Sequence, residues 1–322
     1  HSPTSSEMED GPFIYQKLFL TQEQRRLLDG NANMAAGVAV NDGLQFHYAD
    51  TIWKMNPLTK KLQPQKNEKL SQDNAIQKVL EKFKEYNPVN DKDRDKFEKY
   101  QETIPQTIRQ GFLACEKLGA DKSKDVTAEA SINNTNYKLQ LPIVGRTDLH
   151  FKDFKSSEQS GDASASNSSS VLSVLKICEF KTVWQKPLKI KKDGSRGFSS
   201  ARLPSAPLVN HLRQLSFYTV SLSHNVPCCP YLIYLSADGF QIYSQNNCAD
   251  LEPGNIKNYY NQLVKNCIRR ERLLTRYAHL NDRDAIVREL IADTQPNFSH
   301  PFYWNIGHEF VKQAKELWND AR

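Results

Sequence analysis

No apolar run in this 322-residue chain approaches the about 18 residues needed to cross a bilayer, which argues against a membrane partner. The six cysteines, at positions 115, 178, 228, 229, 248 and 267, form no C-x-x-C pair and have no histidine at the spacing of a zinc module. A disulfide framework suits small secreted chains better than one of this size, so free thiols in a reducing compartment are expected. Also missing are a glycine-rich phosphate loop, an H-E-x-x-H helix and a G-x-S-x-G elbow. Nucleotide-cradling, zinc-protease and serine-hydrolase chemistries therefore have no motif behind them. No internal repeat points to a solenoid.

What is present is ordinary in bulk. Hydrophobic residues make up 39% and charged residues 25% of the chain, as in a folded intracellular protein. The formal charge of +6 and the pI near 8.8 suit a polyanionic partner, although they also suit many unrelated enzymes. A cytoplasmic location is expected, in the host cytoplasm if the chain is phage-encoded. The chain begins at His1 without an initiator Met, which reads as a trimmed N-terminus and leaves a mitochondrial address open.

Periodicity predicts helix from Gln22 to about Trp53, broken near Asp29-Gly30-Asn31, with Val38, Leu44 and Tyr48 on the apolar stripe, then a polar connection over 54–72. Ile76, Val79, Leu80 and Phe83 lie on one face of a helix over Asp73 to Tyr86. A further helix is expected to start near Pro105, turn Ile108, Phe112 and Cys115 inward and end at Gly119. Three strand-like segments follow, at 126–132, 140–151 and 171–181. Between the last two, residues 155–170 hold eight serines and no large apolar side chain, so they read as a disordered hairpin tip. A helix over Leu208 to His224, a hairpin over 230–243 and helices over 256–292 and 305–320 complete the chain.

Chemistry concentrates where the strands end. Asp148 closes the run Leu141-Pro-Ile-Val-Gly-Arg-Thr-Asp, and the next strand ends Ile177-Cys-Glu179-Phe180-Lys181. Side chains on a strand alternate with period two, so Glu179 and Lys181 share one face, and Asp148 on an adjacent strand can lie opposite them. Two carboxylates a few ångströms apart repel unless a cation lies between them, and hard oxygen ligands suit Mg²⁺ or Mn²⁺. A lysine beside them supplies positive charge near an attacking water.

Gly145-Arg146-Thr147-Asp148, Glu179-Phe180-Lys181 and Gln214-Leu-Ser-Phe-Tyr218 resemble, in order and placement, the G-x-x-D, (D/E)-x-K and Q-x-x-x-Y signatures of the RecB-like PD-(D/E)XK nucleases. That family includes phage-encoded and mitochondrial exonucleases. The resemblance covers about residues 105–245. It implies an α/β fold with a restriction-endonuclease-like core, a mixed central sheet flanked by helices in the order αβββαβ, with added N- and C-terminal helices. Residues 1–104 are then an N-terminal helical region completing the nuclease domain, 105–245 the core and 246–322 a C-terminal helical region. By the same resemblance, Asp148, Glu179 and the backbone carbonyl of Phe180 bind Mg²⁺ or Mn²⁺, Lys181 orients or activates water, and Gln214 and Tyr218 position the scissile strand. Some relatives carry a four-cysteine iron–sulfur cluster; these cysteine spacings do not match it, and none is expected here.

The family's upstream G-x-x-x-H appears as Gly37-Val-Ala-Val-Asn41, with asparagine in the histidine position. Asn41 can offer an amide oxygen to a metal or water but cannot take up a proton. Glu129 on the first strand is a further candidate ligand. Lys186, Lys189, Lys191, Lys192, Arg196 and Arg202 face a single acid, Asp193, and are expected to clamp a DNA backbone, with Trp184 as a stacking candidate. The function these features imply is a metal-dependent DNA exonuclease of repair, recombination or replication. A flap endonuclease with the same site and a catalytically inactive nucleic-acid-binding module are the alternatives.

Overall fold

The computed structural model describes the chain except residues 4–7, 30–31, 58, 60, 124, 155–172, 191–195, 301, 304–305 and 321–322. The Ser-rich segment and the candidates Lys191 and Lys192 thus lie outside the described residues, and for Lys189 and Arg196 only the backbone is described. The chain divides into two compact units, one of residues 32–134 and 144–260, the other of 1–31, 135–143 and 261–322. Neither expected domain boundary coincides with these units. The one at 104/105 falls inside a helix, and the one at 245/246 falls inside the first unit.

The first unit is α/β, with a mixed seven-stranded sheet flanked by helices. In chain order it contains α1 (Ala32–Tyr48), β1 (Thr51–Met55), β2 (Leu62–Lys66), α2 (Gln72–Lys84), α3 (Asp91–Lys117), β3 (Val126–Ala128), β4 (Ser131–Asn134), β5 (Ile143–Arg146), β6 (Leu149–Phe154), β7 (Ser173–Thr182), β8 (Pro187–Ile190), β9 (Arg196–Phe198), α4 (Val209–Leu222), β10 (Cys228–Ser236) and β11 (Gly239–Tyr243). The sheet order is β11-β10-β7-β6-β3-β1-β2. Strand β7 lies inside the sheet. It pairs antiparallel with β6 and parallel with β10, and α4 makes the crossover between the parallel pair.

Alternation along these strands builds the core. Val126, Ala128, Leu149, Phe151, Cys178, Phe180, Ile233 and Leu235 all join one cluster with apolar residues of α1, α2 and α3. The opposite parity carries Glu179 and Lys181, and α4 packs there against β7 and β10. Helix α2 buries Ile76, Val79 and Phe83 as its spacing predicts.

Three local expectations are corrected. Residues 51–55 are a strand, not helix, and 62–66 are its antiparallel partner rather than part of a polar connection. The β-branched and aromatic run Thr51-Ile-Trp pairs with β3 and buries Ile52, while Pro64 is tolerated because β2 is the sheet's edge. Helix α3 starts at Asp91, not near Pro105: Asn90 caps it by accepting from the Asp93 N–H at 2.9 Å, and Asp91 and Asp93 sit favourably in its first turn. Pro105 lies inside this helix, at a local cost of about 3 kcal/mol. Burial of Tyr100, Ile104, Ile108, Phe112 and Cys115 along one face offsets that cost. Val38 is exposed, and the buried face of α1 runs instead through Ala36, Ala39, Val40, Leu44 and Tyr48.

The second unit has its own core. Ile14, Tyr15 and Leu20 pack with Val287, Leu290, Ile291, Tyr303, Ala314 and Trp318. Its helices include Arg283–Asp293, His308–Asp320 and the part of Pro253–Thr275 from residue 261 on. Arg270, in the basic run Arg269-Arg-Glu-Arg272, is buried. Its guanidinium lies 3.6 Å from the Phe13 ring centroid, donates to the Met8 carbonyl at 2.7 Å and faces Asp10 at 3.3 Å. Among the described residues no helix is long and apolar enough to cross a membrane.

Candidate active site

The site forms at the end of the sheet where β3 and β7 finish and β6 begins. In the β6–β7 register Leu149 faces Cys178, and one residue further this sets Asp148 opposite Glu179. Asp148 is then fixed from two sides: Oδ2 accepts the Phe180 main-chain N–H at 2.8 Å, and Oδ1 accepts from Asn41 Nδ2 at 3.2 Å. Lys181 Nζ donates to Glu179 Oε1 at 2.7 Å and to Gln214 Oε1 at 3.0 Å. Gln214 Nε2 in turn donates to Tyr218 Oη at 3.0 Å. One chain of hydrogen bonds thus runs Glu179–Lys181–Gln214–Tyr218, tying the strand to α4.

The glycine at the head of G-x-x-D has a steric reason. A Cβ on Gly145 would meet the Phe217 and Tyr218 rings, each at 2.9 Å, so any side chain there would push α4 off the sheet. Glu129 has φ +54, the left-handed region that non-glycine residues seldom adopt. This conformation breaks the expected 126–132 strand after Ala128. Glu129 Oε1 accepts from Gln45 Nε2 at 3.0 Å, and its Oε2 lies 3.6 Å from Arg146.

Burial and then the neighbouring Glu179 push the Asp148 carboxyl well above the usual carboxylate range, against the pull of Lys181 and the Phe180 N–H. Burial likewise raises Glu179, with Lys181 opposing. For Lys181 burial disfavours the charge, but Glu179 and Asp148 override it and hold the ammonium above its ordinary value. Three carboxylates, Asp148, Glu179 and Glu129, therefore face one lysine and one arginine.

These features fit a divalent cation. Glu179 is 1% exposed, and its Oε2 is buried without a hydrogen-bond partner, a costly state that a cation relieves. A shallow crevice beside it is lined by Asn41, Leu44, Gln45, Asp148, Leu149 and Phe180, of which Asn41, Gln45 and Asp148 carry side-chain oxygens. Among the described residues no group of three or more His, Cys, Asp or Glu side chains is gathered tightly enough to hold a metal alone. Asp148, Glu179, the Phe180 carbonyl and Asn41 are the donors at hand, with Glu129 behind them.

The other candidates are more scattered. Lys186 and Arg202 are exposed. The basic stretch includes the antiparallel β8–β9 pair, closed by Ser199 N–H to the Lys186 carbonyl at 2.9 Å. Trp184, the base-stacking candidate, is half-buried: its ring lies 4.6 Å from that of Tyr100 and packs against the core cluster. Two site residues were missed in the sequence. Gln45 is one helical turn beyond Asn41 and His211 is three residues before Gln214, so the i, i+4 and i, i+3 spacings carried the signal.

Compared with protein-family models, with curated proteins and with solved structures, the chain matches none.

Proposed function

We propose that this chain is a metal-dependent deoxyribonuclease of the RecB-like PD-(D/E)XK type that degrades DNA from ends. The observation that carries the reading is the set Asp148, Glu179 and Lys181. Two carboxylates lie opposite each other on neighbouring strands, one with a buried, unpaired oxygen, and the lysine is anchored to Gln214. The succession α3-β3-β6-β7-α4-β10 supports a restriction-endonuclease-like core, since it follows the αβββαβ order around a mixed sheet. Asp148, Glu179 and the Phe180 carbonyl would hold Mg²⁺ or Mn²⁺. When bound, such an ion polarises a phosphate and eases deprotonation of water. Lys181 keeps a positive charge beside the carboxylates, where it orients water and offsets negative charge developing on the phosphate. Gln214 fixes the direction of that ammonium, and Tyr218 fixes Gln214. Exposed Lys186 and Arg202, with the β8–β9 segment, supply backbone charge for DNA.

Asn41 favours one competing reading, a module that binds nucleic acid without cutting it, because an amide cannot relay a proton. End-labelled single- and double-stranded DNA incubated with Mg²⁺ or Mn²⁺ decides between them. Nucleotide release by wild type, lost in folded Glu179→Ala and Lys181→Ala variants, is the expected result, and equal behaviour of all three proteins would falsify the nuclease reading. Closed single-stranded circles separate the modes: an exonuclease leaves them intact, and their cleavage marks an endonuclease sharing the site.

A further inference from the structure

We propose that His211 is a further catalytic residue, whose Nε2–H donates a hydrogen bond to a non-bridging oxygen of the scissile phosphate; this rests on the nuclease reading above. Positions 211, 214 and 218 of α4 are spaced i, i+3 and i+7, so His211 shares a helix face with Gln214 and Tyr218. Its Nδ1 lies 2.8 Å from Tyr234 Oη, and Tyr234 is the direct β10 partner of Lys181 in the sheet register. The imidazole is thus clamped to the residue beside the site's lysine, one strand away.

The hydrogen bonds around it favour one tautomer. Tyr234 Oη already accepts the Leu208 N–H at 3.0 Å, and burial keeps the phenol proton in place. Donating that proton to His211 Nδ1 satisfies both groups. Burial and then Lys181 push the imidazole down to about 4, so the ring is neutral at physiological pH. A neutral ring that accepts at Nδ1 carries its proton on Nε2, which makes that atom a donor. His211 is only half-buried, so part of the ring stays open to solvent. A neutral donor next to an ammonium suits a phosphate: it adds a second hydrogen bond without repelling Lys181.

A brace between α4 and β10 is the purely structural alternative, and the test separates the two. Duplex DNA carrying a single methylphosphonate at the cleaved linkage, as resolved diastereomers, is digested with Mn²⁺ by wild type, His211→Ala and His211→Gln. His211→Ala is expected to lower kcat on unmodified DNA about 10²-fold. Its Mn²⁺ affinity by calorimetry stays unchanged, and the amide donor of His211→Gln recovers part of the rate. On the diastereomer lacking the contacted oxygen, wild type and His211→Ala should cleave equally. A His211→Ala defect of the same size on every substrate, or no defect at all, overturns the assignment while leaving the nuclease reading intact. Absence of cleavage by wild type with either metal overturns both.

Discussion

Arg270 and Lys181 are both largely buried cations facing a carboxylate, with side chains 3% and 20% exposed. Around Arg270 the negative charge is sparse: Asp10 serves both Arg270 and Arg269, and the guanidinium leans on the Phe13 ring and the Met8 carbonyl. Burial accordingly pulls its pKa down to about 10. Around Lys181 the carboxylates are in excess, and their field overcomes burial and lifts the ammonium above its ordinary value. A buried ion pair by itself is thus a brace, of modest net worth. What differs at Lys181 is the surplus of carboxylate, which favours a bound cation; a buried carboxylate oxygen without a hydrogen-bond partner occurs at both, Glu179 Oε2 and Asp10 Oδ1.

Exchanging the two cations for neutral side chains puts that contrast to its hardest test. Lys181→Met is expected to reduce nucleotide release per folded molecule by about 10³-fold. Arg270→Ala should cost about 3 kcal/mol in urea unfolding, with the rate per folded molecule unchanged. Arg270→Ala abolishing hydrolysis in a protein that still folds would erase the distinction.

Cation binding sharpens the comparison further. At a concentration 100 times its Kd, Mn²⁺ stabilises by about 2.7 kcal/mol a protein that binds it only when folded. Thermal unfolding should show that shift for wild type and not for Glu179→Gln. Without metal the order reverses. The folded pKa of Glu179 is raised, so its ionised form costs stability above the ordinary carboxylate range, and removing the charge should raise the melting temperature near neutral pH.

The smallest effect concerns the histidines of the first unit. Burial depresses both His150 and His211 to about 4. With unfolded values near 6.5, neither state binds the proton above that pH, and only the unfolded state binds it below. Stability therefore falls between pH 6.5 and about 4, by at most about 1.4 kcal/mol per pH unit for each ring. His150→Gln should flatten the slope of urea midpoints between pH 7 and 5 by one histidine's share, and an unchanged slope would count against its burial in neutral form.

Much of the site was legible because regular structure has a fixed period. Alternation alone placed Glu179 and Lys181 on one face, and the 3.6-residue turn placed Gln214 above Tyr218. The buried faces of α2 and of the C-terminal half of α3 were readable for the same reason. Errors fell where a local signal was outweighed by packing at a distance. Pro105 looked like a helix start, but a cap at Asn90 and a continuous apolar face carried the helix through it. The packing of Trp184 on Tyr100, far away in sequence, likewise had no local signal.

The sequence by itself determined which residues have the chemistry for the site and which of them share a face, because both follow from residue type and local geometry. Only the tertiary structure decided that Asp148 faces Glu179, that Gln45 and Arg146 hold Glu129, that His211 joins Lys181 through Tyr234 and that Arg270 is buried. Each of those depends on strand register or helix packing between segments far apart in the chain, and register and packing are set by the burial of the whole core, which no single stretch of sequence contains.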